Sequence, residues 1–215
     1  MAVRINIGCG ATPTPGWRNY DNSWSVRLAG FPWTAKLVGA MGLISSSQQE
    51  FIDFAKRGDV RWADATTSIP EPDDSADVLY TSHMVEHLER DRAMGFLTEA
   101  RRVLRSGGII RIAVPDIRYH IDNYIEDEDA DGFIERTYLT RSSPRTMIEK
   151  AKYLAIGDRN HQWMYDGRSL CAQLTRAGFR DAEVAPAGTT RIQDCEELDL
   201  SERMPESVFV EAINP

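Results

Sequence analysis

His83, Glu86 and His87 are the residues of this chain best equipped for chemistry. They stand at i, i+3 and i+4, so a helix beginning near residue 83 would carry all three on one face, within about 100° of arc. The chain has four histidines, and two of them fall in this one turn. A third, His161, lies in the run Asn160-His-Gln-Trp-Met-Tyr-Asp166. Two chemistries suit the group. In one, His87 or His161 is a general base, whose ordinary pKa of about 6.5 suits neutral pH, and Glu86 orients it or the substrate. In the other, His83, Glu86, His87 and His161 hold a divalent metal that binds a hydroxyl and lowers its pKa. A plainer role, in which the Glu-His pair caps the helix and packs, stands beside both.

A second constellation points to a cofactor. Residues 3 to 10, Val-Arg-Ile-Asn-Ile-Gly-Cys-Gly, read as a short apolar strand running into a Gly-x-Gly turn. Glycine accepts positive φ and leaves no side chain in the way of a ligand. In α/β folds the first such turn is where a nucleotide-like cofactor sits. Further pieces follow in order. Asp21 ends the second strand, where a carboxylate can accept both hydroxyls of a ribose. Asp64-Ala65 follows the third, where an acid can take the exocyclic amine of an adenine. Thr81-Ser82-His83 closes the fourth. Any single Asp after a strand is more often a helix cap; the order and spacing together carry the reading. The candidate cofactor-binding residues are Gly8, Cys9, Gly10, Asp21, Asp64, Ala65, Ser82 and His83.

The elements that must position these residues show as apolar, β-branched runs at 3–7, 17–21, 59–63, 76–81, 108–114, 181–185 and 207–213. Helical patterns lie between several of them: Glu50 to Arg57, Asp91 to Leu104, and Ser169 to Ala177 capped by Gly178. Leu104-Arg105-Ser106-Gly107-Gly108 reads as a helix-end turn. Strands alternating with helices predict an α/β fold with a mostly parallel seven-stranded sheet and helices on both faces. The last strand follows a loop alone and is expected to be antiparallel. Residues 22–57 and 117–166 are long connections, expected to form lids and substrate walls. The acidic run Glu126 to Asp131 within the second reads as a solvated loop. His120 reads as a surface residue or a substrate contact, Trp163 and Tyr165 as a pocket wall or core, and Cys9 as a small filler of the turn.

Composition bounds the rest. The 215 residues suit one domain, 1–215, and a formal net charge of -8 argues against a nucleic-acid partner. Three scattered cysteines fit a reducing, cytoplasmic setting without a disulfide framework or zinc motif. A core strand starting at about residue 3 predicts no signal peptide. The most lipid-like run, Leu28 to Ile44, is broken by Pro32 and Lys36 and is too short to span a bilayer; it reads as a dimer surface, a lid or a weak membrane contact. Nothing in the sequence specifies an oligomeric state.

The segments Asn6-Ile-Gly-Cys-Gly10, Asp77-Val-Leu-Tyr-Thr-Ser-His-Met-Val-Glu-His-Leu88, Glu99-Ala-Arg-Arg-Val-Leu-Arg-Ser-Gly-Gly108 and Ile112-Ala-Val-Pro-Asp116 resemble class I S-adenosylmethionine-dependent methyltransferases of the broad type 11 group. The run Pro15-Gly-Trp-Arg-Asn-Tyr-Asp21 resembles a subgroup often associated with surface-polysaccharide gene clusters. The resemblance implies a Rossmann-like, doubly wound sheet, S-adenosyl-L-methionine as cofactor, and methylation of a small-molecule acceptor. Oxygen is the expected acceptor atom, in a sugar or phenolic hydroxyl, because the candidate groups accept protons or bind metals. Methylation of a small amine held by Glu86 and Asp116, or a non-catalytic cofactor-binding scaffold, are the alternatives. Ubiquinone-pathway O-methyltransferases and small-RNA 2′-O-methyltransferases are similar around the Glu-His pair, which implies a metal. The chain departs from the group in having Ala11-Thr12 where a third glycine is common and Asn6 where an acid is common. Pro13 and Pro15 leave little room for a first helix, so loop amides are expected to hold the cofactor more than a helix dipole does. Pro13 also disfavours a dinucleotide fingerprint and hydride transfer.

Overall fold

Ile5 and Ile7, and likewise Ile110 and Ile112, recur at every second position and are buried. A strand turns alternate side chains to one face, so these residues supply one wall of a common core. The structure, a computed structural model, describes residues 2–29, 53–55, 60–139 and 160–215. The elements in chain order are β1 (Arg4–Ile7), β2 (Arg18–Asp21), α1 (Trp24–Ala29), β3 (Arg61–Trp62), β4 (Ala76–Ser82), α2 (Arg90–Val103) and β5 (Leu104–Pro115), followed by α3 (Ile117–Asp127), α4 (Ala130–Arg136), α5 (Gly167–Arg176), β6 (Arg180–Ala185) and β7 (Ser207–Ile213).

The seven strands form one sheet in the order β3-β2-β1-β4-β5-β7-β6. All pairs are parallel except those of β7, which runs antiparallel to both β5 and β6. The order reverses between β1 and β4, and in such sheets ligands bind in the crevice beyond the carboxyl ends at that switch point. Ile7 pairs with Thr81, so Gly8 and Ser82 leave the sheet side by side. That places the glycine turn against the histidine segment.

Leu79 and its alternates Val78 and Tyr80 face opposite ways. On the first face α2 and α5 cover the sheet, burying Phe96, Leu97, Ala100, Val103, Leu170 and Leu174. Asp166 and Ser169 start α5 with a reciprocal capping box. On the second face Trp17, Val78 and Tyr80 pack under Ile192 and Leu198 of the irregular segment 186–206. This cover, rather than a helix, follows from Pro13 and Pro15: residues 8–17 form turns and no helix, as their spacing predicts.

Two local expectations change. The run Leu104 to Gly108 is the start of β5, with an irregularity in register between the Ala76–Leu104 and Val78–Ile109 pairs, because Gly107 at φ 79° lets the strand bulge. The acidic run Glu126 to Asp131 is not a solvated loop. Glu128 ends α3 in the left-handed conformation, and Asp129 caps α4 by accepting from the Gly132 amide. Of the expected helix Glu50 to Arg57, residues 53–55 are described and are helical. Most of Leu28 to Ile44 lies outside the described residues. No helix among the described residues is long and apolar enough to cross a membrane.

Candidate active site

The glycine turn is built by positive φ at Gly8 (72°) and Gly10 (51°). Its amides are already used. Gly8 N and Cys9 N donate to the Tyr20 carbonyl at 2.8 and 3.3 Å, and Gly10 N donates to Asp21 Oδ2 at 3.1 Å. These three amides therefore bind β2 rather than facing the crevice, which corrects the expectation that loop amides hold the cofactor. What the turn supplies is room. A Cβ on Gly8 would lie 2.7 Å from Met84 Cγ, so glycine here lets the segment after β4 settle against the turn. Cys9 fills the turn as expected; burial, with the nearby Asp21 carboxylate, pushes its thiol up to about 12, out of nucleophilic range.

Asp21 and Asp64 differ. Each Asp21 oxygen accepts one main-chain amide, from Gly10 and, at 2.8 Å, from Ser23. A carboxylate oxygen has two lone-pair sites, so both keep one for a ribose hydroxyl. Asp64 Oδ1 accepts from Thr66 N and Thr66 Oγ1, and Oδ2 meets Arg92 Nη2 at 2.8 Å. It is thus an ion-paired turn-former as well as a candidate adenine contact. Ala65 is buried in the main core, and Ser82 is half-buried at the end of β4.

The helix expected from residue 83 does not form. His83 takes a left-handed φ of 49°, and only a 3₁₀ turn, Val85–His87, separates it from extended Leu88. This tight geometry sends the two histidines different ways. His83 Nε2 lies 2.9 Å from Ser207 Oγ at the start of β7, and its Nδ1 lies 3.5 Å from Glu86 Oε1. His87 Nε2 lies 3.8 Å from the same oxygen, while His87 Nδ1 lies 3.3 Å from the Asn160 carbonyl.

His161 joins them from far along the chain. Gln162 N and Trp163 N donate to the Glu86 carbonyl at 2.7 and 3.1 Å, which fastens segment 160–163 to the turn. The His161 ring then stands 5.0 Å from that of His87 and 5.3 Å from that of Tyr138, centroid to centroid. Glu86 is 1% exposed, and neither carboxyl oxygen has a hydrogen-bond partner; nor does the buried His161 Nδ1. Burial lowers the His161 pKa, partly opposed by Glu86, so its imidazole is neutral at neutral pH. One ligand atom from each of Glu86, His87 and His161 lies within 4.8 Å of the other two. His83 stands outside that trio.

The remaining candidates sort by burial. Tyr165 is core, and Trp163 is exposed with the Arg90 guanidinium 4.5 Å from its ring centre. His120 is buried rather than at the surface, because α3 turns it inward, and burial lowers its pKa. Sequence reading missed Ser207 and Tyr138. Only the insertion of β7 beside β5, where Ser207 pairs with Pro115, brings that hydroxyl to His83, and no local pattern signals it.

Comparison with known proteins bears on the fold. Residues 43–112 match the family described as Methyltransferase domain, a stretch that includes β4 and α2 but not the glycine turn. No curated protein matches the chain. An S-adenosylmethionine-dependent methyltransferase of Thermotoga maritima has the same fold, with a TM-score of 0.55 and 14% identity over 100% of this chain and 83% of its own. One from Methanosarcina mazei gives 0.51 and 14% over 98% and 91%. Residues 43–112 thus match a methyltransferase family model, and the chain shares the fold of these S-adenosylmethionine-dependent methyltransferases.

Proposed function

We propose that the enzyme methylates a hydroxyl of a small molecule, a sugar or a phenol, and that Glu86, His87 and His161 handle the acceptor's proton. The observation that carries this reading is the buried Glu86 carboxyl group, without a hydrogen-bond partner and facing two imidazoles, in a segment that packs on Gly8. In the step, the acceptor oxygen bonds to the methyl carbon as the sulfonium S–C bond breaks. The hydroxyl proton passes to the cluster, and S-adenosylhomocysteine leaves as a neutral thioether. The leaving group is already good, so the protein's task is to align the two and accept the proton.

On this reading Gly8, Cys9, Gly10, Asp21, Asp64, Ala65, Ser82 and His83 border the cofactor, with Asp21 on the ribose and Asp64 on the adenine. A net charge of -8 favours a small acceptor over a nucleic acid. The likeness of Pro15 to Asp21 to the polysaccharide-associated subgroup makes sugars the first acceptors to try, in a cytoplasmic setting. The test is calorimetric titration with S-adenosylhomocysteine, followed by methyl transfer to a panel of sugars, phenols and amines. A methylated sugar or phenol supports the proposal. Product from amines alone overturns the oxygen assignment, and cofactor binding without any turnover favours a scaffold.

A further inference from the structure

We propose that Glu86, His87 and His161 form a site for a divalent transition ion of the Zn²⁺ kind, with His83 outside the ligand set. Three observations converge on it. The first is a tautomer. His87 Nδ1 lies 3.3 Å from the Asn160 carbonyl, an acceptor only, so Nδ1 carries hydrogen and donates. Nε2 is left with a lone pair, and it faces Glu86 Oε1 at 3.8 Å. A ring nitrogen fixed by a main-chain carbonyl while its partner nitrogen points at an acid is the outer-sphere arrangement of metal-binding histidines.

The second observation is the state of Glu86. Among the described residues three carboxyl side chains are buried: Glu71, Glu86 and Glu211. Tyr20 and Arg18 bind Glu71, and Arg111, Thr190 and the Arg191 amide bind Glu211. Glu86 alone has no hydrogen bond to either oxygen. A buried acid whose nearest polar neighbours are ring nitrogens of His83 and His87, at 3.5 and 3.8 Å, calls for a cation.

The third is the number of atoms that converge. A proton between His87 Nε2 and Glu86 Oε1 would relieve that pair. It would leave the buried His161 Nδ1 without a partner, although His161 also reaches to within 4.8 Å of both. An ion joins all three. Two imidazoles and one carboxylate suit Zn²⁺, Co²⁺ or Fe²⁺ rather than Mg²⁺ or Ca²⁺, which take oxygen ligands. Three protein ligands leave a fourth position open, as in catalytic zinc sites. Taking the cluster as the acceptor site rests on the function proposed above; in that case the acceptor hydroxyl would take the open position, its pKa lowered by the ion, and its proton would leave to water, since all three side chains are then ligands. Whether the ion binds does not depend on that reading.

The chelator-treated, dialysed full chain is titrated with Co²⁺ and followed by visible absorption, with Zn²⁺ as competitor. One Co²⁺ per chain, a ligand-field band and displacement by Zn²⁺ are expected. Glu86→Gln and His161→Ala each weaken Co²⁺ binding by at least about 100-fold, while His83→Ala changes it only a few-fold. Thermal melting of each variant checks its fold; if Glu86→Gln does not fold, His161→Ala decides, since its segment is attached through main-chain amides. No band, or unchanged affinity in the folded variants, overturns the site. S-adenosylhomocysteine titration of the same samples keeps the two readings apart, because cofactor binding without Co²⁺ binding removes the metal and leaves the methyltransferase.

Discussion

Arg111 on β5 and Glu211 on β7 pair in register and form an ion pair of 2.6 Å with both side chains sealed from solvent. Each also holds the covering segment. Arg111 donates to the Thr189 and Leu200 carbonyls, and Glu211 accepts from Thr190 Oγ1 and the Arg191 amide. The pair takes the place of a helix as the fastening of the second face. Glu211→Gln strips Arg111 of its counter-charge, and breaking a buried pair typically costs about 3–5 kcal/mol. Urea unfolding should register a loss of that size. A change under about 1 kcal/mol would show that the pair is solvated and fastens nothing.

The Asp64–Arg92 pair separates two roles of one carboxylate. If Asp64 takes the adenine amine, Asp64→Ala weakens S-adenosylhomocysteine binding by about 1–3 kcal/mol. Arg92→Ala leaves the acceptor oxygen in place and should alter affinity far less. Equal losses in calorimetry from both variants would assign Asp64 to the turn alone.

Gly8 is the point at which the two halves of the crevice touch. Gly8→Ala combines a positive φ with a Cβ 2.7 Å from Met84 Cγ. Met84→Ala removes the atom in the way and should restore part of the lost cofactor affinity in the double variant. Calorimetry on the four proteins of that cycle measures the coupling, and strict additivity would rule out the contact as the cause.

His120 and His161 make stability depend on pH in a fixed direction. Burial lowers both from the ordinary histidine value of 6.5. Below that value the unfolded chain takes up protons more readily than the folded one, so stability is full above about pH 6.5 and declines as the pH falls. Around His120 the neighbouring Glu206 and Asp116 reduce the effect, and Arg136 adds to it. His120→Asn should flatten the decline in urea midpoints between about pH 7 and about pH 5.5. An unchanged slope would assign the dependence to His161 or to other groups.

Local pattern carried much of this architecture. Val3 to Gly10 is strand then turn because β-branched residues end at glycines, and α2 is legible from its apolar stripe of Ala93, Phe96, Leu97, Ala100 and Val103. Pro13 and Pro15 correctly excluded a helix before Asp21. The site was less legible. Spacing at i, i+3 and i+4 suggests a helix, but one left-handed residue, His83, reduces it to a single 3₁₀ turn. Arg111 and Glu211 break the apolar run of a buried strand, and only their pairing across β5 and β7 explains them. His161 and Ser207 reach the site through contacts 76 and 124 residues apart, Gln162 to Glu86 and Ser207 to His83, beyond any local signal.

The bonds from Gln162 and Trp163 to the Glu86 carbonyl are made by main-chain amides. They therefore place no demand on side-chain identity at 162 and 163, save that proline is unsuitable there. Mutation can alter what those side chains present to an acceptor without detaching the segment that bears them. The part of the molecule that grips and the part that chooses can accordingly change at different rates, with His161 carried along on a tether that sequence drift at its neighbours does not loosen.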